Sequence, residues 1–419
     1  MKIQNAIVIA LGVVHIAGPA IATAQVTGDR GRNTGVLDRP RPEYDAAPIR
    51  VGAFEWAPRL TTRIESNSNV LYADSGRAKS DTIITLAPTI DLNSTWSRHG
   101  FALQAGVDSN FHSDFSRDDR TNTFIASQGR IDIGASTAVN LALRYADERE
   151  SRAFLPAPEQ AARLGKSSSF TGSAGVVTTV SRVRLSAEAS SGEFTYDPVP
   201  RLGGGAFDQR LRDRKENRFS GRIEYALSPD TALLAQASSS RVDFRELGGP
   251  TRDYRNTELL AGANFDVASL MRGEIAIGWL QQENEAPGVA SQDGLGLRAA
   301  VDWFPSRTTT IGAFAARANE PSWDPRSASA ETTTYGANLN QEVRRNLLIG
   351  LRLETGSRDY RGIDRSDAFV RTAFNATYLI NRRLRLGAGV DYTHETSGGR
   401  LTGPEYAATR ALVSLTFQP

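Results

Sequence analysis

From Val51 onward the chain repeats one pattern: about ten residues of strictly alternating polarity, a short turn, about ten more, then a long polar loop. Over residues 384–392, Leu384, Leu386, Ala388, Val390 and Tyr392 fall on one face, and Arg385, Gly387, Gly389 and Asp391 on the other. A period of two is the signature of an extended strand, which sends successive side chains to opposite sides. The same split separates Ile275, Ile277 and Trp279 from Glu274, Ala276 and Gly278, and Leu141, Leu143 and Tyr145 from Asn140, Ala142 and Arg144. One face is continuously apolar and the other carries charge. No helix with a period of 3.6 sorts these residues in that way.

The connections are of two kinds. Short ones fall near 97–99, 136–138, 180–181, 228–230, 269–270, 305–307, 344–346 and 381–382. Long polar ones fall near 65–81, 109–122, 148–167, 191–216, 244–252, 283–292, 319–331, 357–366 and 394–406. About eight short turns alternating with about nine long loops enclose about eighteen strands (roughly 16–18), an even number that leaves both ends beside the short turns. Strands of ~9–11 residues suit a tilted bilayer crossing and exceed the ~5–6 of ordinary globular sheets. Aromatic residues cluster at strand ends: Trp96, Tyr225, Phe265, Trp303 and Tyr378 toward the turns, and Tyr145, Tyr254, Tyr335, Phe369 and Tyr392 toward the loops. Amphipathic rings favour the two membrane interfaces. A soluble sheet or propeller also alternates and repeats, but requires none of these three features. The pattern therefore predicts an all-β fold, a transmembrane antiparallel β-barrel with short periplasmic turns and long extracellular loops. A negative mean hydropathy agrees with this, because only alternate residues of such a wall meet lipid.

Met1 to Ala24 reads as an address. Lys2 precedes an apolar run from Ala6 to Ala17, followed by Gly18-Pro19 and the small-residue site Ala22-Thr23-Ala24. This is the layout of a secretory signal peptide cleaved before Gln25, and the run is shorter than the ~20 residues of a spanning helix. Residues 25–50 are polar and rich in Gly, Pro and Arg, with no apolar periodicity. They read as a flexible periplasmic lead-in, with a contact segment or a short plug as the functional alternative. The barrel occupies 51–419, and the expected location is the outer membrane of a Gram-negative bacterium.

Composition narrows the chemistry. Basic and acidic residues number 49 and 47 and there is no cysteine, so no electrostatic footprint for nucleic acid, no disulfide framework and no thiolate metal site exists. His99, His112 and His394 are the histidines beyond the leader. A Ser-His-acid site would need a serine and a carboxylate beside His112 or His394, and neither a Gly-x-Ser-x-Gly nor a His-Glu-x-x-His pattern is present. Leu202-Gly203-Gly204-Gly205 lacks the lysine of a phosphate-binding loop. Asp108, Asp114, Asp118 and Asp119 are interleaved with Arg117 and Arg120, which oppose a dication. No cofactor, metal or catalytic residue is expected.

The informative charges alternate with the apolar face. Arg130, Asp132, Arg144, Arg184, Glu188, Arg222, Glu224 and Glu258 do so in the first half of the chain and just beyond it. Glu274, Arg298, Asp302, Arg352, Glu354, Arg371, Arg385 and Asp391 do so in the second. An arginine at the lipid midplane costs ~2–4 kcal/mol, so these residues are expected to line the lumen. There they brace neighbouring strands, guide a hydrated polymer, or do both.

Ile49-Arg50-Val51-Gly52, Phe54, Pro58 and Leu60, followed by Glu65-Ser66-Asn67-Ser68-Asn69-Val70-Leu71-Tyr72, carry a specific likeness. This stretch resembles the putative beta-barrel porin 2 family, outer-membrane barrels often associated with exopolysaccharide production in proteobacteria. Ser68 stands where members tend to carry the Asp of an Asp-Asn pair. The resemblance implies an export pore for a secreted polysaccharide, working with a periplasmic polysaccharide-export protein and an inner-membrane synthesis complex. A passive porin for small solutes and a rim-site hydrolase of lipid or lipopolysaccharide are the alternatives. Ala411, Val413, Leu415 and Phe417 give the last strand an apolar alternation with an aromatic third from the end, an imperfect version of the signal that the barrel-assembly machinery recognises. Lipid and lipopolysaccharide are the expected surroundings.

Overall fold

The computed structural model describes residues 34–155, 158–245, 248, 251–268, 270–286 and 291–419. The leader at 1–24 lies outside the described residues. Among those described, one antiparallel sheet of nineteen strands contains a three-residue arm, Ile49–Val51, and eighteen wall strands. The wall strands are β1 Phe54–Asn67, β2 Asp81–Ser94, β3 Gly100–His112, β4 Arg120–Ile133, β5 Thr137–Arg149 and β6 Lys166–Val180. They continue as β7 Val183–Tyr196, β8 Arg214–Ser228, β9 Thr231–Phe244, β10 Tyr254–Val267, β11 Met271–Asn284 and β12 Gln292–Ser306. The last six are β13 Thr309–Pro321, β14 Ser329–Arg344, β15 Leu347–Tyr360, β16 Arg365–Leu379, β17 Leu384–Gly399 and β18 Tyr406–Phe417. Each wall strand pairs with the next in sequence, and β1 closes on β18 from Leu60↔Phe417 to Asn67↔Arg410. Closure leaves the wall no open edge, so the backbone groups are paired where lipid offers no partner.

Burial is inverted relative to a soluble protein. Leu143, Ile277 and Val413 are 52, 53 and 54% exposed, whereas Glu258 and Glu354 are 8 and 7% exposed. The apolar face therefore points outward to lipid and the charged face inward. Trp96, Tyr225, Trp303 and Tyr378 are exposed outward at the turn end, and Tyr145, Tyr335 and Tyr392 at the loop end. Two expected members of the loop-side girdle are not in it. Tyr254 and Phe369 are buried, because their strand phase places them with Glu258 and Arg371 on the inner face. Phe369 there lies under the guanidinium groups of both Arg358 and Arg371, 4.7 and 4.4 Å from its ring centre.

The wall has a tight corner at β8–β11. Arg222 on β8 binds both carboxylate oxygens of Glu274 on β11, at 3.0 and 2.7 Å. Three strand spacings of about 4.8 Å separate these strands if the sheet is flat, so a bridge of this length requires it to fold over. Leu234, Leu260 and Ala276 pack in the bend. Glycine makes the approach feasible: a Cβ on Gly278 would stand 1.8 Å from the Leu259 carbonyl oxygen, and one on Gly262 2.0 Å from that of Ile275. Gly278→Ala is therefore expected to lower stability by about 2 kcal/mol or more, read from the denaturation midpoint of the detergent-solubilised barrel. Gly221→Ala, where a Cβ meets nothing within 4 Å, leaves the midpoint nearly unchanged.

Candidate functional site

The lumenal wall is laced with ion pairs. Arg130 donates to Asp132 at 2.8 Å, Arg144 approaches Glu148 at 3.5 Å, and Arg352 and Arg371 share Glu354 at 2.8 and 2.9 Å. Arg222 joins Glu224 at 2.5 Å as well as Glu274, and Arg298 reaches Glu258 at 3.3 Å. Asp302 pairs with Arg272 at 3.3 Å and Asp391 with Arg410 at 3.1 Å. Arg385 turns toward Asp45 at 3.9 Å. Arg184 and Glu188 share the inner face of β7, where Glu188 acts electrostatically on Arg218. Arg59, Arg218, Arg358 and Arg410 were not singled out from the sequence, yet each takes part in the same network. The period-two phase of their strands was sufficient signal for their direction.

The long loops fold over the outer mouth. Arg152, in the loop between β5 and β6, donates from Nε and Nη2 to both oxygens of Asp118, each at 2.7 Å, and from Nη1 to the carbonyls of Pro158 and Ala161. Both side chains of that pair are 1% exposed. Glu150 in the same loop accepts two bonds from Arg212 at 2.8 and 2.9 Å, and Glu159 takes Arg77 at 2.7 Å. Phe154 meets the edge of Trp323, 6.3 Å between ring centres. Trp323 belongs to the loop between β13 and β14, eight strands from β5 in a wall of eighteen, so this contact spans the mouth. Arg365 stacks on Trp323 and Tyr360, both at 4.4 Å, while binding Asp324 at 2.7 Å. Burial opposes the Asp324 carboxylate, but bonds from Arg326 and the charge of Arg365 overcome it and hold its pKa below the ordinary carboxylate range.

The described part of the lead-in lies along one arc of the inner mouth. Composition reads residues 25–50 as flexible; residues 34–45 instead find partners on the wall. Val36 is buried and its N–H donates to Thr310 Oγ1 at 3.0 Å. The Arg41 guanidinium, buried as well, donates to Glu342 at 2.7 Å and to the Val36 carbonyl at 2.8 Å. Glu43 takes Arg345 at 2.8 Å and Arg382 donates to the Pro42 carbonyl at 2.9 Å. These contacts run from β13 and β14 to the turn before β17. The segment's few charges meet opposite charges there, which local sequence statistics do not register.

A closed barrel, a lumen of paired charges and covered mouths accompany a sequence match to the putative beta-barrel porin 2 family over residues 41–419. The chain belongs to that family. It is an outer-membrane β-barrel of porin-like, channel type. No curated protein matches it in sequence. Among solved structures it is similar to OpdL of Pseudomonas aeruginosa, with 12% identity and a TM-score of 0.45 over 88% of this chain and 99% of that one. It is also similar to OccAB3 of Acinetobacter baumannii, with 12% identity and a TM-score of 0.47 over 88 and 100% of the two chains. The FrpB iron transporter of Neisseria meningitidis gives 9% identity and a TM-score of 0.48 over 82 and 61%.

In this family member the histidines part company. His99 sits in a turn and accepts the Asp132 N–H at 3.2 Å, and His394 is exposed on the outer face of β17. His112 is buried, with Nδ1 2.9 Å from Asp81 Oδ2. An acid thus lies beside this histidine, but among the described residues Nε2 has no hydrogen-bond partner, serine included. The acidic residues near the second loop scatter rather than converge: Asp118 binds Arg152, Asp119 accepts the His112 N–H, and Asp108 accepts from Asn110. No group of three ligating side chains able to hold a metal occurs among the described residues.

Two outcomes follow from the covered mouths. Arg152→Ala strands the buried Asp118 carboxylate, at a cost of about 3–5 kcal/mol to the cap. The variant is expected to show faster protease cleavage within 150–165 and a larger single-channel conductance. Glu342→Gln removes the charge partner of Arg41 at the opposite end. It is expected to release residues 34–45 to protease and raise conductance while the outer loops stay protected.

Proposed function

We propose that this barrel is the outer-membrane pore of an exopolysaccharide export system, reached after removal of its leader by signal peptidase. The observation that carries the reading is the lumen itself: a wall of eighteen strands whose inner face carries many paired arginines and carboxylates. Such a wall offers donors and acceptors at every level, and a polyhydroxylated chain can exchange one set for the next without leaving a polar surface. Loops tied across the outer mouth and a lead-in tied to the inner rim also suit an exporter. A large lumen left open would leak, so a pore for a polymer needs covers that the polymer or a partner displaces.

The turn side carries Arg98, Arg182, Arg307, Arg345, Arg382 and Arg383. This basic rim favours capture of an acidic polymer or docking of an acidic face of a periplasmic polysaccharide-export protein. Insertion of the wall would proceed through the barrel-assembly machinery, with lipid and lipopolysaccharide as the final surroundings.

Deleting the coding sequence is expected to abolish surface polysaccharide while the same polymer accumulates in the periplasm, measured by carbohydrate assay of the two fractions. Unchanged secretion would overturn the export reading. Reduced uptake of small solutes in such cells, with secretion intact, would favour the passive porin instead.

A further inference from the structure

Beneath the loop cap, on the outer half of the lumen, lies a cavity of about 360 Å³ between β1–β5 and β15–β18. That volume is within the ~300–1,000 Å³ of small-ligand sites. Seven arginines and five carboxylates line it. Five of the arginines are held by carboxylates: Arg144, Arg152, Arg358, Arg371 and Arg410. Arg63 and Arg120 have no ion pair or hydrogen bond among the described residues, and the Nε of Arg120 is buried without a partner.

These two arginines terminate one cross-strand row. Arg63 on β1 is opposite Thr85, Thr85 is opposite Asn110, and Asn110 is opposite Arg120 on β4. Thr85 donates to Asn110 Oδ1 at 2.9 Å, and both are almost fully buried, so the middle of the row is fixed and polar, with Asn110 lining the cavity. An elongated anion lying along the row meets at each end a guanidinium with no ion pair or hydrogen bond among the described residues, although the charge of Arg63 is felt by Asp391.

A second, independent feature lies two residues farther along β3. The His112 side chain is 2% exposed, lines the cavity, and has an unpartnered Nε2. Asp81 fixes the ring. Its carboxylate accepts the N–H of Thr82 at 2.7 Å and of Asp114 at 3.0 Å, so it meets Nδ1 as an acceptor. Nδ1 therefore carries a proton, and Nε2 is left without a partner on the far side of the ring. A buried ring nitrogen left unbonded calls for a hydrogen-bonding group of a ligand. Glu65, without a hydrogen bond of its own among the described residues, adds an acceptor, and the rings of Tyr72 and Phe124 add apolar surface.

We propose that this cavity is a subsite for a carboxylate-bearing saccharide of the uronic-acid class. Arg63 and Arg120 take the carboxylates by charge-assisted bonds, Nε2 of His112 hydrogen-bonds a hydroxyl, Glu65 accepts a hydroxyl proton, and the aromatic faces meet the apolar faces of the sugar rings. The assignment rests on the reading of the chain as a polysaccharide pore and adds to it the charge of the polymer.

The test is calorimetric titration of the folded, detergent-solubilised full chain with digalacturonate and with maltose, folding being checked by heat-modifiable electrophoretic mobility. Digalacturonate is expected to bind at least tenfold more tightly than maltose and to lose that advantage as salt is raised. Arg63→Gln and Arg120→Gln are each expected to weaken digalacturonate about tenfold and leave maltose unaffected, whereas Arg210→Gln, at an exposed loop position paired with Asp208, changes neither. His112→Asn weakens both sugars. Equal affinity for the two sugars in the unaltered chain, or binding of neither, overturns the subsite without recourse to any variant. It does so even if the deletion strain has lost its surface polysaccharide, in which case the export reading stands. Normal secretion by that strain defeats the export reading alone.

Discussion

The pairing of β1 with β18 is the constraint on which the rest of this structure depends. In hydrocarbon an unpaired strand edge leaves a row of peptide groups with no partner, each at a cost of several kcal/mol. Eight registered pairs from Leu60↔Phe417 to Asn67↔Arg410 remove that edge. Once the sheet is closed, inside and outside are defined for every residue, and the alternation of each strand decides which side chains meet lipid. Closure at eighteen strands also sets a width that wall side chains alone do not fill. The space is occupied in part by the chain itself, through a corner at β8–β11, loops drawn over one mouth and the lead-in held against the rim of the other.

What holds those parts inside is almost entirely arginine. The lumen excludes lipid but not water, so an apolar filling would be replaced at the mouths by solvent-exposed hydrocarbon, whereas guanidinium groups bind carboxylates, carbonyls and aromatic faces alike. Arg365 combines two of these modes, binding the carboxylates of Asp324 and Asp367 and stacking on the rings of Trp323 and Tyr360. Arg152 divides its donors between Asp118 and two backbone carbonyls. The fork of five donors lets one residue tie a loop to a neighbour and to itself, which a lysine could not do with one rotatable ammonium.

The wall was legible because its rule is local. Every strand pair, turn and long loop expected from the alternation is present, and the strand total follows from counting connections. The inward direction of residues such as Arg222 and Glu354 follows from their neighbours Ile223 and Leu353, whatever they bind. Partners were not legible, because they depend on curvature and loop paths. Nothing near Arg222 in sequence points to Glu274, three strands on, and the reason is the bend admitted by Gly262 and Gly278. Tyr254 and Phe369 stand near strand ends as girdle residues do, but their phase turns them inward. The lead-in was opaque for another reason: Arg41 and Glu342 are about three hundred residues apart, and each reads as a surface charge until the barrel brings them together.

Polar covers have a physical consequence that apolar ones lack. A buried ion pair is a near-cancellation of a large desolvation cost and a large attraction, so its net contribution over an alternative partner is small, whereas removing one member without replacement is costly. The contacts at both mouths are therefore hard to break into vacancy and easy to exchange. A ligand that offers carboxylates to Arg152 or Arg41, or hydroxyls to the carbonyls they hold, can take over those bonds one at a time without leaving a bare charge behind. Water fills the gaps between steps, since bridging waters serve nearly as well as direct bonds. A hydrated, oxygen-rich polymer meets this requirement along its whole length, while small apolar solutes do not meet it at all. The bonds that hold these covers are thus of the kind an oxygen-rich ligand can replace.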